Sequence, residues 1–180
     1  MFVLLVLSCA LPTATPDPPT DTAPPDSVQG DTSGLPDDTA WPSEATSVVL
    51  NEVMPDADYG GDWLELYNLS GNHADIGGYV LKDSSGQSDS LPDGTVIDGW
   101  SVLLVRCGGG SDGTEDVSVN LRLRKSGETL WLYHLDDGAI AWDDEVTWAL
   151  LTGPVSLARQ PDGEGSWEMD DSPTPGTSNE

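Results

Sequence analysis

The amino-acid sequence predicts an all-β fold, either a sandwich or a barrel, for residues 47–180. Short apolar runs alternate in this part of the chain with clusters of Gly, Asp, Asn and Ser. No stretch keeps a helical period of 3.6 residues over about 11 residues, which is evidence against an α-helix. The region is also long enough for one sandwich core.

Charge and composition exclude several classes of protein. The 180 residues carry 32 acidic and 6 basic side chains, which gives a formal net charge of −26 and an isoelectric point near 4.1. A surface this negative repels phosphate backbones, so nucleic acid is not expected as a partner. No apolar run approaches the roughly 20 residues of a membrane span. All the bases and most of the acids lie in the predicted β domain.

Residues 1–8 are expected to be a lipoprotein-type signal peptide that is cleaved before Cys9. Residues 2–7 are all apolar, and Leu7-Ser8-Cys9 resembles the end of a bacterial lipobox. The resemblance implies that Cys9 carries lipid and that the chain meets a membrane only through this lipid. A basic segment before the apolar run is missing, so whether Met1 is the true start stays open. We expect an exported outer-membrane lipoprotein of the cell envelope, facing the periplasm or the surface.

Residues 9–46 are predicted to be a disordered, acidic, proline-rich linker. Eight prolines stand among them, with Thr and Asp in most of the gaps. Proline favours the extended polyproline II conformation, and the aspartates repel one another. The segment has too few apolar residues to offset the entropy cost of folding. We therefore expect a stalk that holds the β domain away from a membrane.

Ten short apolar runs are the candidate strands of the domain at 47–180. Gly-, Asp- and Ser-rich breakers separate them, and Asp137-Gly138 between two runs is a strong signal for a hairpin turn. In chain order the runs are Val48–Val53, Trp63–Leu69, Gly78–Lys82, Thr95–Ile97, Ser101–Cys107, Val117–Leu123, Thr129–Leu135, Ala139–Trp142, Val146–Leu150 and Val155–Arg159.

Six motifs in chain order resemble those of the lamin tail domain family, an immunoglobulin-like β-sandwich found in nuclear lamins and in many bacterial secreted proteins. The resemblance implies this fold and an interaction domain, and it supplies no catalytic residues. One position departs from the pattern, because Tyr79 stands where the family usually has Trp. The motifs are Asn51-Glu52, Asp62–Asn68, Asp75–Asp83, Pro92–Val105, Ser126-Gly127-Glu128, and a closing segment with Arg159, Asp162-Gly163, Thr174-Pro175-Gly176 and Asn179.

One structural ion pair is predicted within these motifs. Glu52 and Glu65 lie in candidate strands, where a buried acid needs a partner. Arg159 is one of only six cations in the chain, and its planar guanidinium suits a carboxylate. We therefore expect Arg159 to pair with Glu65 or with Glu52.

The candidate cation site is the loop that carries Asp56, Asp58 and Asp62. Oxygen ligands at alternate positions, with glycines at the bend, are what calcium loops use. The spacing is not that of an EF-hand, so the alternative is a solvated acidic loop between the first two strands. Apart from calcium no cofactor is expected. No nucleophile elbow is present and neither His has a second ligand at zinc spacing, so no catalytic residue is predicted.

Trp63, Tyr67, Trp131 and Tyr133 are the candidates for an aromatic recognition surface. In both of their runs, strand alternation separates these residues from the leucines beside them. Aromatic residues are enriched at recognition surfaces. The alternative is that they belong to the core or cover the edges of the sandwich.

Together these observations predict a non-enzymatic binding or adhesion module that is tethered to the envelope. Its expected partner is an unidentified protein or glycan at the cell surface. A second hypothesis is a calcium-dependent or carbohydrate-binding surface module. A third is a hydrolase that uses Glu52, Glu65 and Asp162 as acids.

Overall fold

The structure is a computed structural model that describes residues 48–55, 61–108 and 117–179. These ranges contain strands and turns but no helix, which confirms the predicted all-β fold. No helix that is long and apolar enough to span a membrane is therefore found in them. The predictions for the signal peptide 1–8, Cys9 and the linker 9–46 lie outside the described residues, as do Asp56 and Asp58.

The described strands form two main sheets and one small ribbon. The larger sheet has the order β12-β11-β1-β2-β7-β8, and only its β7–β8 pair is parallel. The smaller sheet has the order β10-β9-β4-β5, and β3 pairs with β6. The strands are β1 Val48–Met54, β2 Trp63–Asn68, β3 Ala74–Asp75, β4 Val80–Asp83, β5 Ser88–Ser90, β6 Val96–Ile97, β7 Val102–Cys107, β8 Val117–Val119, β9 Glu128–Asp136, β10 Ala139–Trp148, β11 Ser156–Gln160 and β12 Ser166–Asp170.

The inner faces of the two main sheets share one apolar core. Full burial of each leucine in it contributes about 1.5–3 kcal/mol to folding. Residues of both sheets meet there, and the fully buried leucines of the strands are Leu50, Leu64 and Leu66 of the larger sheet and Leu81, Leu130 and Leu132 of the smaller one.

A β-bulge in β1 decides which of its residues face the core and which face the polar outer side of the sheet. Leu50 pairs with Leu66 and Val53 pairs with Leu64, although Leu50 and Val53 are an odd number of residues apart. The register shift between Leu50 and Glu52 adds Asn51 to β1, so that both apolar residues face the core. Glu52 consequently faces the other side of the larger sheet.

Several predicted strand boundaries are wrong. Ala139–Trp142 and Val146–Leu150 were predicted as separate strands, but the first run and most of the second belong to β10, which ends at Trp148. The acidic residues between them occupy a bulge rather than a turn, because the register with β9 shifts between Trp142 and Asp144. The polar strands β5 and β12 lack the apolar run that predicts a strand, and they form by pairing with β4 and β11.

Candidate functional site

Glu52 and Glu65 lie directly opposite each other on β1 and β2, and both are fully buried. The backbone N–H of Gly176 donates to Glu65 Oε1 at 2.5 Å. Thr174 Oγ1 lies 3.0 Å from Glu52 Oε2. Glu52 Oε1 and Glu65 Oε2 have no hydrogen-bond partner among the described residues. The C-terminal segment 174–179 therefore covers this carboxyl pair.

Burial raises the pKa of both carboxyls because it removes water from the charged form. For Glu65 the pKa reaches about 8, because desolvation by burial outweighs the opposing hydrogen bond from Gly176 and the negative charges of Glu52 and Asp162 add to the rise. Hydrogen bonds to Thr174 oppose the rise for Glu52. Glu65 therefore holds its proton at neutral pH.

Thr174 and Asn179 extend the hydrogen-bond network around Glu52. Asn179 Nδ2 donates to the carbonyl oxygen of Arg159 at 3.0 Å, which leaves Asn179 Oδ1 as an acceptor. Thr174 Oγ1 donates toward this Oδ1 at 2.6 Å and toward Glu52 Oε2 at 3.0 Å, so one hydroxyl group links the buried carboxyl to Asn179.

Asn51, the bulge residue of β1, joins the C-terminal segment to the loop after β11. Its Nδ2 donates to Asp162 Oδ1 at 2.8 Å, and its Oδ1 accepts from the N–H of Gly163 at 2.8 Å. The N–H of Asn179 donates to the same Asp162 Oδ1 at 3.0 Å. These contacts give the closing motif of the sequence a structural role.

The structure thus brings the acids of the hydrolase hypothesis into one region, but it leaves two of them inaccessible. Glu52 and Glu65 expose no surface, and residues 174–179 cover them. A substrate reaches neither carboxyl unless this segment is displaced. The arrangement is that of a closure between the C-terminus and the larger sheet.

The predicted ion pair of Arg159 with Glu52 or Glu65 is wrong. Ala158 lies opposite Glu52 in the β1–β11 register. Because side chains alternate along a strand, Arg159 points to the opposite face of the sheet, toward the core. The sequence contained no sign of this register.

Asp144 is the partner of Arg159, and it lies in the gap between two runs that the sequence predicted as separate strands. Arg159 Nη2 lies 3.0 Å from Asp144 Oδ2 and 3.1 Å from Oδ1. The same Oδ2 accepts from the N–H of Leu50, and Arg159 Nε donates to the carbonyl of Leu50, each at 2.9 Å. The guanidinium also stacks on the Trp167 ring, 4.8 Å from its centroid. The pair therefore connects the smaller sheet to β1 and β11 of the larger one.

Asp62 is the one member of the predicted calcium loop that the structure describes. Its Oδ2 accepts a hydrogen bond from the N–H of Leu123 at 2.9 Å. Within the described ranges no group of three or more His, Cys, Asp or Glu side chains is arranged to hold a metal ion. The calcium site stays a prediction.

The four predicted aromatic residues do not form one surface. Trp63 and Tyr67 belong to β2 of the larger sheet, where Trp63 is only 3% exposed. Trp131 and Tyr133 belong to β9 of the smaller sheet and are half-buried on its outer face. The leucines between them face the core, which is why strand alternation sends these aromatic rings outward.

A cluster of exposed apolar side chains lies instead on the β9–β10 hairpin, and we call Tyr133, Leu135, Ile140 and Trp142 the hairpin surface. Leu135 pairs with Ile140, and Tyr133 pairs with Trp142. Leu135 is 59% exposed, Ile140 52% and Trp142 59%. The Tyr133 and Trp142 rings meet edge to face, with centroids 5.1 Å apart. The alternating runs on both sides of Asp137-Gly138 carried the signal that could have found these residues.

Carboxylates stand at both ends of the hairpin surface. Asp136 and Asp137 are exposed at the turn, where positive φ values at Asp137 and Gly138 match a two-residue hairpin turn. At the other end Glu145 is exposed, and its Oε2 accepts from Trp131 Nε1 at 2.8 Å. The surface is therefore apolar in the middle and negative at its ends.

His134 and Asp143 fix the bulge beneath the hairpin surface. His134 Nδ1 lies 2.9 Å from Asp143 Oδ2, and the imidazole stacks on Tyr79 at 4.9 Å between ring centroids. Burial raises the pKa of Asp143, although the contact with His134 opposes the rise. The aromatic ring at position 79, where the family resemblance would have Trp, thus supports the hairpin from inside.

A family model described as Lamin Tail Domain matches residues 42–149. No curated protein matches the chain.

Proposed function

The chain belongs to the lamin tail domain family, an immunoglobulin-like family that is generally non-catalytic, and on this premise we propose that it is a non-enzymatic binding or adhesion module held at the cell envelope. The hairpin surface is the part that meets the partner. The partner is a protein or a glycan at the cell surface.

The exposed hairpin surface is the observation that carries the proposal. Leu135, Ile140 and Trp142 are each more than half exposed and adjacent to one another. Exposed apolar side chains that cluster within a polar rim are typical of interaction sites. On a chain of net charge −26 such a cluster is unusual, and a partner that buries it removes the free-energy cost of exposing these apolar side chains to water.

The chemistry of the buried groups also supports binding rather than catalysis. Glu52 and Glu65 lie beneath residues 174–179 and are engaged with them. Burial raises the pKa of the Cys107 thiol, and a protonated thiol is a poor nucleophile. These groups therefore suit a structural role.

The support for tethering comes from the amino-acid sequence. A lipid on Cys9 would anchor the chain, and an extended linker 9–46 would reach on the order of 100 Å at ~3.1 Å per residue. The test is metabolic labelling of the full chain with a palmitate analogue in a bacterial host. Label on the wild type and none on Cys9→Ala supports tethering, whereas label on neither or on both contradicts it.

The binding test compares the full chain with a Trp142→Thr variant on arrayed glycans and displayed peptides. A Leu150→Thr variant is the matched control, because Leu150 is also exposed but lies outside the hairpin surface. We expect ligands that the wild type and the control retain and that the Trp142 variant loses. Ligands that bind all three chains equally would place the binding site elsewhere.

Calcium-dependent binding through Asp56, Asp58 and Asp62 is the second candidate function. Its support is the oxygen-rich spacing of the loop in the sequence. Calorimetry with calcium on the wild type and on Asp58→Ala tests it, and heat that the variant retains unchanged would contradict a site at this loop.

A further inference from the structure

We propose that the partner of the hairpin surface is an extended peptide segment, apolar in its middle and basic at its ends, which adds to β10 as a further strand. This inference rests on the proposed binding function and names the chemistry of its partner.

The first support is the position of β10 at the edge of the smaller sheet. β9 pairs with one side of β10, and no strand of the described ranges pairs with the other. The opposite edge, β5, is only three residues long and consists of Ser and Asp. β10 is ten residues long. A long edge strand offers unpaired N–H and C=O groups that an incoming chain can use.

The second support is the side-chain pattern of the first part of β10. Ile140 and Trp142 face outward beside Leu135 and Tyr133. A strand added at the usual spacing of about 4.8 Å would set its alternate side chains against Ile140 and Trp142 and cover them. Main-chain hydrogen bonds and apolar burial would then act together.

The bulge limits where such a strand can pair. The register with β9 shifts between Trp142 and Asp144, and Asp144 is held by Arg159. A bulge interrupts regular pairing along a strand. The available edge is therefore Ala139–Trp142, and it accepts a short segment of the partner.

Charge selects a basic partner over a second copy of this chain. Two copies of a chain with a formal net charge of −26 repel each other. Lysine or arginine at the ends of a partner segment would instead be attracted to the exposed carboxylates Asp137 and Glu145. Lys82 lies across Trp131 from Glu145, on the side away from this edge.

Ring geometry favours a peptide over a glycan. The planes of Tyr133 and Trp142 are inclined at 61°. Two rings at this angle give no flat platform for the face of a sugar chain. They form a ridge, against which alternate side chains of a strand can pack.

The test begins with a library of random displayed peptides selected on the full chain. Peptides are kept if they bind the wild type and the Leu150→Thr control but not the Trp142→Thr variant. The best of them are synthesised unchanged, with Lys and Arg replaced by Glu, and with N-methyl groups on alternate backbone nitrogens. The N-methylated peptides are made in two registers, one with the odd-numbered and one with the even-numbered residues methylated. Affinities are measured by calorimetry at low and high salt, and the same chains are tested on a glycan array.

We expect basic peptides whose affinity falls about tenfold or more on charge reversal, with a smaller fall at high salt where charges are screened. N-methylation in one of the two registers should abolish binding, because it removes the donors that pair with β10. Trp142-dependent peptides that are neutral or acidic, or that tolerate both methylation registers, overturn the inference and leave the binding function standing. If the ligands that depend on Trp142 are glycans and not peptides, the inference is also overturned and the binding function still stands. If no ligand of either kind depends on Trp142, the inference and the proposed hairpin site both fail.

Discussion

Arg159 on β11 and Asp144 on β10 form an ion pair that joins the two main sheets, with 3.0 Å between Nη2 and Oδ2. Both side chains are largely buried, and both also hydrogen-bond the backbone of Leu50. Removal of one partner of a buried ion pair lowers stability by more than the intact pair adds to it, because the remaining charge is left buried and uncompensated.

Asp144→Ala is therefore expected to lower the free energy of unfolding by about 3 kcal/mol. The substitution leaves Arg159 without its carboxylate and the N–H of Leu50 without its acceptor. Urea unfolding followed by tryptophan fluorescence measures the change. Glu168→Ala on β12 is the control, because this acid is exposed, and it should stay within about 0.5 kcal/mol of the wild type. A comparably small effect of Asp144→Ala would mean that the pair adds nothing to stability.

The fold could be predicted from the sequence, but the partner of Arg159 could not. Strand alternation, the Asp137-Gly138 turn and the family motifs were sufficient for the fold, and the need of buried acids for partners directed attention to Glu52 and Glu65. The partners themselves depend on register. One residue of register decides whether Arg159 or Ala158 shares a face with Glu52, and nothing local in the sequence fixes it.

The hairpin surface was missed for a related reason. The run Asp143-Asp144-Glu145 has the composition of a turn, so it separated two candidate strands. In the structure a bulge absorbs it within β10 because two of its acids find partners, Asp143 in His134 and Asp144 in Arg159. Trp142 then belongs to a long edge strand beside Tyr133, and its exposure follows from the pairing of β9 with β10.

The pH dependence of stability tests the buried carboxyl pair. The pKa of Glu65 is about 8 in the folded chain and near 4.5 without burial. The folded state then binds the proton more tightly than the unfolded state, so stability is fully present below about pH 4.5 and is lost as pH rises through about 8. Thermal unfolding at pH 6 and pH 9 should show the loss. Raised pKa values of Glu52, Glu128 and Asp143 act in the same direction.

Glu65→Gln should flatten this dependence without removing the contact to the C-terminal segment. The amide oxygen of Gln can still accept from the N–H of Gly176, and the amide carries no proton to lose. We expect the variant to unfold at a higher temperature than the wild type at pH 9. A wild type that is equally stable at both pH values would contradict a protonated Glu65.

Thr174→Val tests the closure formed by residues 174–179. The substitution keeps the shape of the side chain but removes the hydroxyl that links Glu52 to Asn179. Loss of these contacts leaves buried polar groups unpaired and should lower the free energy of unfolding by about 1–3 kcal/mol. Thr177→Val is the matched control, since its hydroxyl is exposed and contacts only the carbonyl of Thr174. Equal effects of the two substitutions in urea unfolding would show that the buried link is not specific.

The last prediction separates stability from binding at the hairpin surface. Ile140→Thr and Trp142→Thr each place β-branched Thr, a residue that favours strands, in β10 and remove side chains that are more than half exposed. Because little apolar area is withdrawn from water at these positions, each should change the free energy of unfolding by less than about 1 kcal/mol. Leu132→Thr on β9, whose side chain is fully buried, should cost about 2–5 kcal/mol. If the two exposed substitutions prove as costly in urea unfolding as the buried one, the hairpin surface serves the fold, and its assignment to partner binding fails. If the two exposed substitutions change the free energy of unfolding little and still abolish ligand capture by the full chain, the hairpin surface serves partner binding and not folding.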